Sequence, residues 1–238
     1  MAKLNDKEKN YFRDPDFFKI YLDVLNSRLI YSNNSIENDN LPLSDLYDYA
    51  SVLSLEDNYR AFKLLLDKLN SKEEKVLTEE LIIKVADTIN KHADYISNGY
   101  RKIGKGHKLD GIYPIDDPEN INEDMKKLLD NYYGPWSKLD IFEREALFNI
   151  EFLRIHPFED GNGRTSRLLL NFNVLRQGHA PIIIPEKLRE DYFYARDTEN
   201  VEWIKNMFID RSNKELIAID KLIENYDEED KNVSSYII

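Results

Sequence analysis

The hydrophobic positions of this chain recur at helical spacing over most of its length. In DPDFFKIYLDVLNSRLIYS, Phe17, Tyr21, Val24 and Leu25 fall on one face that continues to Leu29. In LTEELIIKVADTINKHADYI the stripe is Leu81, Ile82, Val85 and Ile89, and Thr78 with Glu80 marks a helix start. DIFEREALFNIEFLRI repeats Phe142, Leu147, Ile150 and Leu153. TSRLLLNFNVLRQG runs to Gly178, a natural helix terminator. VEWIKNMFIDRSNKELIAIDKLI closes the periodic part. The acidic ENYDEEDKN that follows reads as a solvated, frayed tail.

The pattern breaks in three places. From Asn98 to Glu119, NGYRKIGKGHKLDGIYPIDDPE has no helical period, and its glycines and prolines predict a loop or a β-hairpin. APIIIP reads as a short apolar turn between prolines. The third break, IHPFEDGNGRTSRLLLNF, interrupts two apolar-striped helices. The class that follows is all-α, a helical bundle with one small β element, read as one compact unit.

Composition narrows the function classes. With 42% hydrophobic residues, the 238-residue chain can support a real core. No apolar run approaches the length of a membrane span, and the start, MAKLNDKEKN, has no apolar leader. The absence of cysteine excludes disulfides and thiolate metal sites and suits a cytoplasmic protein. A net charge of −12 repels a phosphate backbone, so a nucleic-acid partner is not expected. A local cationic cluster can still hold a small anion.

Such a cluster sits in the third break. After Gly161, Asn162 and Gly163 the chain enters a helix whose first N–H groups lack intrahelical partners and form an anion site. Glycine allows close approach of a ligand and unusual φ values there. Arg164 and Arg167, three apart, project from one face near that end and suit a multiply charged phosphate chain. Asp160 would oppose phosphate unless a cation joined them, and Mg²⁺ is the natural bridge. His156, at the far end of the loop, could accept a proton from a hydroxyl. Each residue alone has a plain structural role, as a cap, a turn or a solvated charge. Their combination within twelve residues does not.

HPFEDGNGRTSR resembles the signature of the Fic family, H-P-F-x-(D/E)-G-N-G-R-x-x-R, at every specified position. The resemblance extends over roughly Leu77 to Asp210. It implies a helical Fic fold that transfers AMP from ATP to a protein Ser, Thr or Tyr hydroxyl, releasing pyrophosphate. His156 would be the general base and Phe158 the loop's anchor in the core. Asp160 would hold Mg²⁺, and Gly161, Asn162 and Gly163 would cradle the α-phosphate. Arg164 and Arg167 would contact the phosphate chain, Arg167 at the γ-phosphate. Glycine at 163, where a phosphorylating relative has Lys, favours nucleotidyl transfer. Tyr192, Phe193 and Asn200 match positions lining the adenine pocket. The segment Gly99 to Pro118 corresponds to the family's β-hairpin flap, with Tyr100, Arg101, Ile103, Gly104, Lys105, Gly106 and His107 placed to dock a target's main chain by edge addition.

YSNNSIENDNLPLSD resembles the family's N-terminal inhibitory element, (S/T)-x-x-x-E-(G/N). Glu37 would be the inhibitory glutamate and Asn38 the last position. The Ser/Thr position falls on Asn33, a departure, flanked by Ser32 and Ser35. Glu37 would pair with Arg167 and withhold it from the γ-phosphate. The implied organisation is a helical region carrying this element over 1–76, a catalytic core over 77–212, and a C-terminal helix and tail over 213–238. ATP and a protein substrate, which could be the chain itself, are the implied partners, and the family's frequent dimerisation adds a homodimer.

Three other readings share these residues. Glu37 could orient water to remove AMP from a modified protein. The site could hold nucleotide without turnover, as a regulatory module. A metallohydrolase could use His156, Asp160 and His179, although His92, His107 and His179 lack ligand-like spacing and read as surface or packing residues.

Overall fold

The structure, a computed structural model, describes residues 3–36, 49–72, 74–93, 96, 98–102 and 117–235, with side chains left out at 49–52 and 229–235. Among these residues the chain forms helices α1 (Asp6–Tyr11), α2 (Pro15–Ser35), α3 (Tyr49–Asn70), α4 (Glu79–Ile89), α5 (Ile121–Tyr133), α6 (Ile141–Ile155), α7 (Asn162–Leu175), α8 (Arg189–Asp197) and α9 (Val201–Ser235). β structure among them is one isolated bridge between Lys3 and His179. The expected hairpin falls largely at 103–116, outside the described residues. Among the described residues no helix is long and apolar enough to cross a membrane.

α6 is the axis of the bundle. It packs against α5, α7 and α9, and buried residues surround it on nearly all sides. The one-faced stripe expected from sequence is therefore too narrow. Phe148 and Phe152 are fully buried on the other side, while Leu147 is only half-buried. A helix covered all round belongs in the interior. Two apolar clusters flank it. The larger joins α2, α3, α4, α5 and α7, and the smaller joins α6, α7, α8 and α9 with Ile36.

α4 starts as its sequence predicts: Thr78 caps it, its hydroxyl accepting the Leu81 N–H at 3.1 Å. On α2 the buried stripe is Phe17, Tyr21, Leu25 and Leu29, a strict four-residue repeat. Val24 lies about 100° from Leu25 around the helix and is exposed, contrary to expectation.

The acidic tail also departs from expectation. α9 continues through it to Ser235 instead of fraying at Glu224. Tyr226 packs edge-on against Phe17, and Asp227 accepts the Tyr11 hydroxyl at 2.6 Å, so the tail has partners on α1 and α2. APIIIP is an irregular buried segment, not a turn. The Asn171 side chain takes both the N–H and the carbonyl of Ile182, at 2.7 and 3.0 Å. α3 and α5, long and amphipathic, complete the wall around α4 and α6.

Candidate active site

The site is the turn from α6 to α7. α6 stops at His156, which takes the left-handed conformation, φ 49° and ψ 59°, with its N–H still bonded to the Phe152 carbonyl at 3.0 Å. Pro157 follows, and a residue before proline is disfavoured in the right-handed helical region, so the helix cannot continue through His156. Phe158 then drops into the larger core, its ring 5.5 Å from Tyr100 and 6.3 Å from Phe152.

The Asn162 amide braces this loop. Its oxygen accepts the Phe158 N–H and its nitrogen donates to the Phe158 carbonyl, both at 2.9 Å. With the side chain buried and committed in this way, what Asn162 can offer an anion is its backbone N–H. Gly161 opens α7 at φ 74°, and α7 has no side-chain cap. A Cβ on Gly161 would meet the Asn90 side chain at 3.0 and 3.1 Å and Ile89 Cγ2 at 3.1 Å, so both the backbone angle and the space require glycine. Asn90 also donates to the Asp160 carbonyl at 2.9 Å and ties the loop to the end of α4. Gly163 lies in the first turn of α7, half-buried.

Asp160 keeps a half-exposed carboxylate. One oxygen accepts the Gly161 N–H at 2.6 Å and the other lies 3.3 Å from Arg164. The second Arg164 terminal nitrogen donates to Ser54 on α3 at 2.9 Å. Arg167 is buried one turn on, against the end of α2: its Nε donates to the Asn33 side-chain oxygen at 2.5 Å and Nη2 to the Asn33 carbonyl at 2.8 Å. The Asn33 nitrogen in turn donates to Asn58 at 3.1 Å and to the Arg164 carbonyl at 3.3 Å.

The rest of that α2 turn is buried and polar. Asn34 accepts from Asn58 at 3.0 Å, and Ser32 donates to the Ile184 carbonyl. Ile36 is fully buried, its carbonyl held by Arg189 at 2.6 Å. Glu37 and Asn38 lie outside the described residues.

The other expected site residues spread out. Tyr192 does not line an open pocket: it is fully buried in the smaller core, its hydroxyl donating to Asn149 at 2.8 Å. Asn149 continues to Ser166 on α7 at 2.6 Å. Phe193 is half-buried between the guanidiniums of Arg189 and Arg196, 4.7 and 4.6 Å from its ring. Asn200 accepts the Trp203 N–H at 3.0 Å at the start of α9.

Of the docking residues, Tyr100 and Arg101 are anchored instead of presented. The Tyr100 hydroxyl donates to Glu79 at 2.9 Å, and burial, then that carboxylate, push it well above its ordinary pKa. Arg101 is 2% exposed and points into the α6–α7 turn. Ile103, Gly104, Lys105, Gly106 and His107 lie outside the described residues.

The donor set suits Mg²⁺ more than a protein-caged metal. Among the described residues no group of three or more His, Cys, Asp or Glu is gathered to hold an ion. One half-exposed carboxylate beside an uncapped helix N-terminus fits a cation that takes its remaining ligands from phosphate and water. The metallohydrolase reading fails on distance. His179 lies beyond the far end of α7, roughly 20 Å of helix from Asp160, and is buried edge-on to Phe142. His92 pairs with Asp57 on α3 at 2.8 Å, and His107 lies outside the described residues.

Sequence reasoning missed Asn33 as a ligand of Arg167, Asn90 as the brace under Asp160, and the burial of Arg101. Only the run SNNS ending an amphipathic helix hinted at the first, as four small polar residues where the stripe should continue.

A bundle whose central helix ends on a left-handed histidine, joined by a braced loop to an arginine-bearing, uncapped helix, has the architecture of a Fic domain. Residues 76–173 match the Fic/DOC family model, and the chain is a Fic-domain protein. It is 29% identical over 163 residues to the protein adenylyltransferase fic-1 of Caenorhabditis elegans, covering 68% of this chain and 31% of that one. It is 30% identical over 185 residues to the protein adenylyltransferase Fic of Nematostella vectensis, covering 69% of this chain and 41% of that one. The chain thus matches well under half the length of these relatives. In fold it is similar to a Fic domain containing signaling protein from Bacteroides thetaiotaomicron, with a TM-score of 0.75 at 21% identity, over 92% of this chain and 97% of that one.

Proposed function

We propose that the chain transfers AMP from ATP to a hydroxyl of a protein, with release of pyrophosphate. The observation that carries this reading is the α6–α7 turn, with His156 at its start and the uncapped first turn of α7, flanked by Arg164 and Arg167, at its end. The relatives named protein adenylyltransferases support it.

The triphosphate lies along the N-terminus of α7. The backbone N–H groups of its first turn and the guanidinium of Arg164 receive negative charge, and Arg167, once released from Asn33, receives more. Asp160 would hold Mg²⁺, which when bound neutralises phosphate charge. His156 takes the proton of the target hydroxyl as its oxygen bonds to the α-phosphorus. The bond from that phosphorus to the bridging oxygen breaks, and pyrophosphate leaves with the electron pair. The site contributes chiefly by orienting the reactants and by holding fixed charge where the phosphate develops it. Glycine at 163 keeps the first turn of α7 open to the α-phosphate, while glycine at 161 supplies the left-handed angle and the close fit against Asn90 and Ile89.

The same reading gives the chain a brake. α2 ends on Arg167, and Glu37 follows Ile36 by one residue. A glutamate pairing with Arg167 competes with phosphate for it. Breaking a buried ion pair costs about 3–5 kcal/mol, enough to suppress productive ATP binding by roughly 10²–10⁴.

The test is mass spectrometry of the Glu37→Gly protein after treatment with Mg²⁺-ATP, alone and with cell lysate. AMP adducts that vanish when His156→Ala is added support the reading. Tight ATP binding with no adduct on any protein overturns it.

A further inference from the structure

Arg101 stands at the base of the segment 103–116 and is 2% exposed. Its backbone N–H donates to the Pro157 carbonyl at 2.9 Å. Its Nε donates to the His156 carbonyl at 2.7 Å, and Nη2 reaches the Ile155 carbonyl at 3.3 Å. One residue therefore grips three successive carbonyls around the point where α6 turns into the loop. The last carbonyls of a helix have no partners within it and carry partial negative charge, which a planar guanidinium matches well. A buried cation is tolerated only when it is hydrogen-bonded, and these three bonds meet on the backbone that carries His156.

His156 needs such a grip. Its φ of 49° lies in the left-handed region, a conformation that persists in a non-glycine residue when surrounding structure enforces it. The direction of the Cα–Cβ bond that carries the imidazole follows from that backbone. Tyr100, next to it in the chain, is itself held, its ring against Phe158 and its hydroxyl on Glu79.

We propose that Arg101 is a positioning residue: by clamping the carbonyls of residues 155–157 it fixes His156 in the left-handed pose from which the ring accepts the target's proton. This assignment rests on the adenylyl-transfer reading. For Arg101 it also replaces the target-docking role expected of it together with its neighbours.

The experiment compares Arg101→Ala and Arg101→Lys in the Glu37→Gly protein. Misplacing a catalytic group by about 1 Å costs on the order of 10²-fold, so Arg101→Ala is expected to lower kcat for AMP transfer about 100-fold while KM for Mg²⁺-ATP holds. Arg101→Lys restores part of the loss, since an ammonium keeps the charge but not the fork. In ¹⁵N-histidine NMR spectra without nucleotide, the His156 ring signals move in Arg101→Ala while those of His92 and His179 hold. If Arg101→Ala fails to fold, Arg101→Gln takes its place. A rise in KM with kcat intact overturns the assignment, as does a loss of kcat with the His156 signals unmoved. If the parent protein transfers no AMP, the proposed function falls, and the NMR comparison still decides the clamp.

Discussion

Arg167 donates its Nε hydrogen to the side-chain oxygen of Asn33 and a terminal hydrogen to the Asn33 carbonyl, at 2.5 and 2.8 Å, joining residues 134 apart in sequence. The departure from a Ser or Thr at this position therefore does not leave the arginine uncovered. An amide oxygen accepts from the guanidinium, and the amide nitrogen ties α2 to Asn58 and to α7.

This contact should be part of the brake. A hydrogen bond to a charged group contributes about 1.5–3 kcal/mol. With Glu37 intact, Asn33→Ala should raise the initial rate of AMP incorporation roughly 10- to 100-fold. Incorporation of label from α-³²P-ATP measures it, and an unchanged rate would show that the seat of α2 on Arg167 plays no part in restraint.

His156→Ala in the Glu37→Gly protein should cost about 10²–10⁴ in kcat, the usual worth of a general base. ATP affinity, read by calorimetry in the presence of Mg²⁺, should stay within error, because α7 and its arginines are untouched. An affinity loss that accounts for the activity loss would move His156 from proton transfer to nucleotide binding.

Gly161→Ala should destabilise the fold. Its φ of 74° costs an L-residue about 1–2 kcal/mol, and the new methyl would press on Asn90 and Ile89 at 3.0 to 3.1 Å. At roughly 2–4 °C per kcal/mol for a chain of this size, the midpoint of thermal unfolding should fall by at least about 2–8 °C.

Glu145 predicts a pH dependence of stability. It is fully buried on α6, accepting from Tyr132 at 2.6 Å and from Asn173 at 2.9 Å. Burial pushes its carboxyl up from 4.5 to about 7, against the pull of those donors and of Arg144 and Arg176. The folded state thus binds the proton more tightly than the unfolded chain. The resulting stability is fully present below pH 4.5 and is lost as pH rises to about 7, on the order of 3 kcal/mol in all. Denaturant unfolding at pH 5 and pH 7.5 should show the native protein losing stability across that interval. Glu145→Gln should flatten the loss, and an identical slope in the variant would remove Glu145 as its source.

Much of this was legible in the amino-acid order alone. The Thr78 cap and the stripe of α4 follow from local spacing, and the residues from His156 to Arg167 are contiguous, so their chemistry can be read without a fold. The tail beyond Glu224 is not legible in this way, because its charges look solvated in isolation. Its partners, Tyr11 and Phe17, stand at the other end of the chain.

By itself, then, the sequence determined helices α2, α4, α6, α7 and α9 and the kind of chemistry the loop can hold, since helical periodicity and a continuous turn are properties of neighbouring residues. Only the tertiary structure decided that Arg101 faces inward onto the backbone of His156, 55 positions away, and that Asn33 covers Arg167. The reason is physical: a buried polar group must find partners wherever packing brings them, and packing is settled between helices, with no trace in the spacing of any one of them.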